Sequence, residues 1–202
     1  MDNQADEKFH VIDRDNLPPH FPTHIQTAGF WEALGRVVAT FGFLEQQLAI
    51  AIFAFTGQKQ IPEDQFEDEF NKWIETLQRA LSDPLGGLID AYGKAVRDNS
   101  QGKIANLDNL IEQLREASRL RNVLCHGSWQ NPDSGGRSIP FFVNKKIERF
   151  ETPIDFGFLE QCQKAVMELA VDVIDTVSRM GWQHPGSGGP GKPLVAAKEL
   201  GG

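Results

Sequence analysis

The chain has 202 residues and a mass of 22.5 kDa, with 40% of its residues from AVILMFWYC and 24% charged, an ordinary globular balance. Twenty Lys and Arg against 28 Asp and Glu give a formal charge of −8. That excludes a basic nucleic-acid coat and a polybasic membrane-surface protein, both of which rely on excess positive charge; an enzyme reaching RNA through one small basic cleft stays open. The start, MDNQADEKFH, is acidic and carries no apolar stretch of the kind a secretory leader needs. Cys125 and Cys162 are the only cysteines, too few for a disulfide framework or a four-cysteine metal site, so a reduced, cytoplasmic setting is expected.

In chain order, residues 1–26 are polar and contain Pro18, Pro19 and Pro22, which predicts an extended N-terminal arm. A helical period then begins: Phe30, Leu34, Val37, Val38, Phe41, Leu44, Leu48, Ile52 and Phe55 recur every three or four residues, with Gly57 as the stop. Glu45, Gln46 and Gln47 interrupt its apolar run, which predicts a buried helix rather than a membrane span. Phe66, Phe70, Trp73, Ile74, Leu77 and Leu81 form a second stripe, with Glu63, Asp64, Glu67 and Asp68 placed to complement the helix dipole. Asp83 and Pro84 read as the N-cap and first residue of a shorter helix to about Val96, weakened by Gly86, Gly87 and Gly93.

Ile104, Leu107, Leu110, Ile111, Leu114, Ala117 and Leu124 mark a fourth helix. Phe158, Leu159, Cys162, Val166, Leu169, Val173, Val177 and Met180 mark a fifth, opening near Asp155. Between these two the period changes. The segment from Gly127 to Pro153 has a Gly/Pro/Asn turn cluster and two short β-type runs, and reads as a loop or small hairpin. HPGSGGPGKP, from His184, cannot hold a regular element, so residues 183–202 are expected to be a flexible Gly/Pro-rich tail. The predicted fold is all-α: an antiparallel bundle of about five helices over residues 27–182, with a β-hairpin or loop insertion before the last helix.

The fourth helix ends in EASRLRNVLCHGSW, where Arg121, Asn122 and His126 stand together ahead of Gly127. Asn122 and His126 are four apart and so share a helix face, while Arg121 lies about 100° around. Cleaving RNA at its 2′-hydroxyl needs a base for that proton and an acid for the departing 5′-oxygen, and histidine serves both near neutrality. A planar guanidinium can hold two nonbridging oxygens as negative charge grows on them, and an asparagine can orient an imidazole or phosphate without adding charge. Read without context, the same three residues are a helix end with a histidine set favourably against the dipole.

In its context, RNVLCH at 121–126 resembles the HEPN superfamily motif: Arg, a polar residue, and His four to six positions after the Arg, at the end of an amphipathic helix in an all-helical chain. The resemblance spans about residues 27–180. It implies a bundle that dimerises side by side with two motifs facing one cleft. It also implies a metal-independent endoribonuclease of toxin–antitoxin, phage-defence or RNA-processing type, needing no cofactor. Arg121 and His126 would then be catalytic and Asn122 supportive. The expected partners are an RNA substrate, a second copy of the chain and an antitoxin or neutralising protein; no membrane is expected. The alternative is a catalytically silent module of the same architecture that binds a protein or nucleotide ligand.

Several neighbours each have two readings. Glu45 sits beside the Phe41/Leu44/Leu48 stripe and is either a water-facing flank residue or a partly buried carboxylate paired with Arg121. Arg115 and Arg119, with Lys145, Lys146 and Arg149, either add a local positive field or only solvate their surfaces. Trp129 either stacks on a base or packs. Cys125 reads as a small core residue, since adjacent helical residues point about 100° apart and set up no thiol–imidazole pair. His10, His20, His24 and His184 lie in arms or tails without metal-ligand spacing, and NPDSGGRS at 131–138 reads as a turn.

Overall fold

A computed structural model describes residues 11–57, 63–82, 84–99, 104–180 and 184. Its described part is all-α: α1 (Ala28–Thr56), α2 (Phe66–Ser82), α3 (Leu85–Arg97), α4 (Leu107–His126) and α5 (Phe156–Arg179). Among the described residues there is no extended strand. The segment before α5 instead makes three isolated antiparallel bridges, Ser128 with Phe141, Ser138 with Ile154 and Val143 with Arg149.

The central helix is α1, packed chiefly against α5 and α3, with α2 and α4 on its remaining sides. Its Phe41, Leu44, Leu48, Ala51 and Ile52 are fully buried, as are Leu159, Ala170, Val173 and Val177 of α5 opposite. Each large side chain of this kind stabilises the fold by about 1.5–3 kcal/mol on burial. α1 is long and apolar enough to cross a membrane by length and composition alone, yet its apolar stripe is the inside of this core. Thr27 starts it by accepting a hydrogen bond from the Phe30 N–H (3.2 Å). Gly57 ends it in a right-handed conformation (φ −72°), so it does not act as the left-handed cap that glycine often provides.

The start of α2 departs from the expectation. Phe66 and Phe70 were expected to face the core, but they are 55% and 41% exposed and stack on each other, with ring centroids 5.8 Å apart. Around Trp73 this helix meets α1, where the indole N–H donates to Thr56 Oγ1 (3.0 Å). The side chains of Leu77 and Leu81, and the cap expected from Asp83, lie outside the described residues. α3 runs unbroken through its glycines. A Cβ at Gly93 would meet Ile111 Cδ1 at 3.1 Å, so this residue lets α3 and α4 approach closely. The single tyrosine, Tyr92, shares a buried hydrogen bond of 2.8 Å with Thr176, joining α3 to α5.

The N-terminal arm is less extended than its prolines suggest. Residues Arg14–Asn16 and Thr23–Ile25 form short 3-10 turns, and the Trp31 indole donates to the Thr23 carbonyl (2.6 Å), tying the second turn to α1. At the other end, His184, which the sequence places in the Gly/Pro-rich tail, is buried; residues 185–202 lie outside the described part.

Candidate functional site

Helix α4 is anchored by Leu110, Ile111, Leu114 and Leu124, all in the core. That fixes its other faces, and with them the motif. Arg121 leans toward α1, where its Nη2 lies 3.6 Å from Glu45 Oε1; the two side chains keep 30% and 29% exposure. Its Nη1 lies 3.5 Å from His126 Nε2, and His126 itself is exposed at the last position of the helix. Glu45, Arg121 and His126 thus form a short chain of contacts open to solvent. An arginine N–H can only donate, so any hydrogen bond at the 3.5 Å contact makes Nε2 the acceptor, the form of imidazole that can take a proton.

Asn122 stands apart from this chain. Its side chain is exposed and makes no hydrogen bond among the described residues, to His126 or to any other group. It faces the groove between α4 and the 141–150 segment. The helical wheel explains the split: Arg121 and Asn122 are about 100° apart, and the long guanidinium stem swings back to His126 while the short carboxamide does not.

Gly127 follows directly. It leaves the helix in an extended conformation (φ −70°, ψ 139°), and its N–H still bonds the Val123 carbonyl (2.8 Å). A Cβ here would lie 2.6 Å from the Val123 oxygen and 2.8 Å from Pro140 Cβ. Glycine is needed because backbone and proline ring crowd it, not because of an unusual φ.

Beyond Gly127 the chain folds back over the helix end. Ser128 and Phe141 exchange backbone hydrogen bonds of 2.9 and 2.7 Å. Buried Ser138 exchanges a pair of 2.8 Å with Ile154, and its hydroxyl donates to the Gln130 carbonyl (2.6 Å). The 131–138 turn is closed by Asp133, which accepts from the Arg137 and Gly135 N–H groups and from the Arg137 side chain. The Arg137 backbone N–H, above all, holds its carboxyl below the usual carboxylate range. At the outer tip, Asn144 Oδ1 accepts from the Lys146 and Glu148 N–H groups, and Ile147 sits at φ +64° while 86% exposed.

The other candidates distribute as follows. Trp129 packs edge-on against Phe30 (5.0 Å) and Trp31 (6.2 Å), so it pins the motif's exit to the start of α1. Arg119 is paired with Glu112 (3.2 Å) and Glu116 (3.8 Å), and Arg115 with Asp90 (2.9 Å), so carboxylates offset most of the positive field these residues could supply. Lys145, Lys146 and Arg149 are exposed on the loop, with Arg149 lying over the Phe141 ring (5.4 Å). Cys125, expected in the core, is exposed one residue from the end of α4; the buried cysteine is Cys162, whose thiol burial pushes up to about 11. His20 and His24 are exposed in the arm, and His10 lies outside the described residues. Among the described residues, no three His, Cys, Asp or Glu side chains converge as a metal site.

The groove beside Asn122 was not visible in the sequence. It has a volume of about 380 Å³; Leu120 and Val123 form its α4 side, Phe142 and Phe150 its loop side. Its two walls lie some twenty residues apart in the chain, and only the Asn144-to-Glu148 turn hints at a folded loop tip. The chain matches no family model, no curated protein and no solved structure.

Proposed function

We propose that this protein is a metal-independent endoribonuclease of the HEPN type, acting in the cytoplasm as a homodimer, in the manner of a toxin or phage-defence effector. The observation that carries the reading is the solvent-reaching pair of Arg121 and His126, 3.5 Å apart at one helix tip, with Glu45 behind the guanidinium. In the reaction the 2′-oxygen attacks phosphorus as the P–O5′ bond breaks, giving a 2′,3′-cyclic phosphate and a 5′-hydroxyl. A base removes the 2′ proton and an acid delivers one to the 5′-oxygen. His126 supplies one of these functions and the His126 of a second copy the other. Arg121 stabilises the charge that develops on the nonbridging oxygens.

The second reading, a silent binding module, is favoured by one feature: Glu45 already engages the guanidinium that would grip the phosphate. Incubation of the protein with single-stranded RNA in excess EDTA separates the two. Cleavage to 2′,3′-cyclic ends, lost in His126→Ala with unchanged helical circular dichroism and unchanged mass in sedimentation, supports the nuclease. Intact RNA at every concentration of wild-type protein moves the silent module ahead.

A further inference from the structure

Resting on the nuclease reading, we propose that the groove between α4 and the 141–150 segment is a nucleobase site, and that it takes a base bearing an exocyclic amino group (adenine, cytosine or guanine) in preference to uracil. Its position comes first. Asn122 lines this groove one helical turn before His126, about 6 Å along the axis, while the imidazole itself turns toward Arg121. A strand whose phosphate sits at His126 has a neighbouring base within reach of Asn122.

The lining chemistry selects the ligand. The volume of about 380 Å³ falls at the small end of the roughly 300–1,000 Å³ range of ligand pockets. Its ionisable lining is two carboxylates, Glu116 and Glu148, against two guanidiniums, Arg119 and Arg149, so the groove presents no net positive charge to a phosphate. Both arginines are also engaged: Arg119 by Glu112 and Glu116, Arg149 over the Phe141 ring. An ionised carboxylate only accepts hydrogen bonds, and amino groups on base edges are donors that match it. Glu148 Oε2 takes the Asn144 amide (2.7 Å), which leaves Oε1 for such a donor. The Asn122 carboxamide, a donor and an acceptor in one plane, has no other partner among the described residues and has the pairing pattern that reads a base edge. Half-buried Phe142 and Phe150 supply aromatic surface on which any base stacks, so rings provide affinity and polar edges the choice. Asn122 thereby moves from supporting the catalytic pair to substrate recognition.

The test is binding, independent of cleavage. AMP, CMP, GMP and UMP are titrated separately into the full-length protein and followed by amide NMR shifts. AMP, CMP and GMP are expected to bind at least about tenfold more tightly than UMP, shifting the Asn122 side-chain amide and the backbone of residues 120–123 and 142–150. Asn122→Ala and Glu148→Gln should each reduce that preference to within about twofold. Equal affinity for UMP, shifts that fall outside the groove, or a preference that survives both substitutions would each overturn the site. Selective binding by a protein that cuts no RNA would sink the nuclease reading and leave the base site standing. RNA cleavage by a protein that shows no base preference would do the reverse.

Discussion

Replacing Gly127 by alanine sets local geometry against intrinsic propensity, and the structure fixes which wins. The backbone at Gly127 (φ −70°, ψ 139°) is open to any residue, so alanine meets no conformational penalty and should stiffen the unfolded chain less favourably for unfolding. Propensity alone therefore predicts a small gain. The added methyl, however, lies 2.6 Å from the Val123 carbonyl oxygen and 2.8 Å from Pro140 Cβ. Neither neighbour is the free end of a flexible side chain. One is the last hydrogen-bonded turn of α4, and the other is a proline ring beside the Ser128–Phe141 bridge. Overpacking against such neighbours costs about 1–3 kcal/mol, which outweighs the entropic gain of about 0.4–1 kcal/mol. In a domain of this size each kcal/mol shifts Tm by about 2–4 °C. Thermal melts followed by circular dichroism should show Gly127→Ala below wild type, while Gly86→Ala in α3, where the methyl meets nothing within 4 Å, should melt at or above it. On the nuclease reading, cleavage should fall in Gly127→Ala even at temperatures where the fold persists, because His126 precedes the crowded residue. A Gly127→Ala protein as stable as wild type, or a Gly86→Ala protein that loses as much, would refute the crowding argument.

Three further outcomes follow from single contacts. Burial pushes the Tyr92 hydroxyl up to about 12, so the phenolate absorbance of this sole tyrosine should stay absent through pH 10 and rise only near 12 or with unfolding. The raised value means that the stability it reflects is whole below pH 10 and declines by about 2–3 kcal/mol as pH climbs from 10 to 12; a urea midpoint flat across that window would contradict it. Ile147→Gly relieves a β-branched residue at φ +64° that is almost wholly in water, and should raise stability by about 0.5–1 kcal/mol in denaturant titrations. On the nuclease reading, Glu45→Gln should lower kcat/KM for RNA roughly tenfold, since the carboxylate orients the guanidinium, yet change Tm little, because a pair this exposed contributes about 0–1 kcal/mol.

The helices were legible because their signal is periodic and local. The fifth helix opens near Asp155, as the sequence places it, with Asp155 Oδ1 accepting from the Phe158 N–H at 2.7 Å. Phe66 and Phe70 misled for a physical reason: a periodic stripe says that a helix has an apolar face, not that another element covers it. Cys125 misled as well: its small apolar side chain reads as core, yet it points about 100° around the helix from buried Leu124 and is exposed. The segment before α5 was readable as a change of period, but its fold depends on pairings such as Ser138 with Ile154 that no local pattern announces.

The motif shows where local spacing stops being enough. Spacing alone groups Asn122 with His126, four residues apart, and leaves Arg121 on the flank; side-chain length reverses the grouping in space, since the arginine reaches both Glu45 and His126. The carboxylate on α1 then decides how the guanidinium is aimed. It holds Nη2 while Nη1 faces the imidazole, and an anion arriving at His126 must share the same planar fork with Glu45. A contact of 3.6 Å between partners about 30% exposed contributes about 0–1 kcal/mol, so on the nuclease reading a phosphate displaces it at little cost. That balance belongs to neither residue alone, because it is set by how deeply Leu44 and Leu48 of α1, with Leu114 and Leu124 of α4, bring the two helices together.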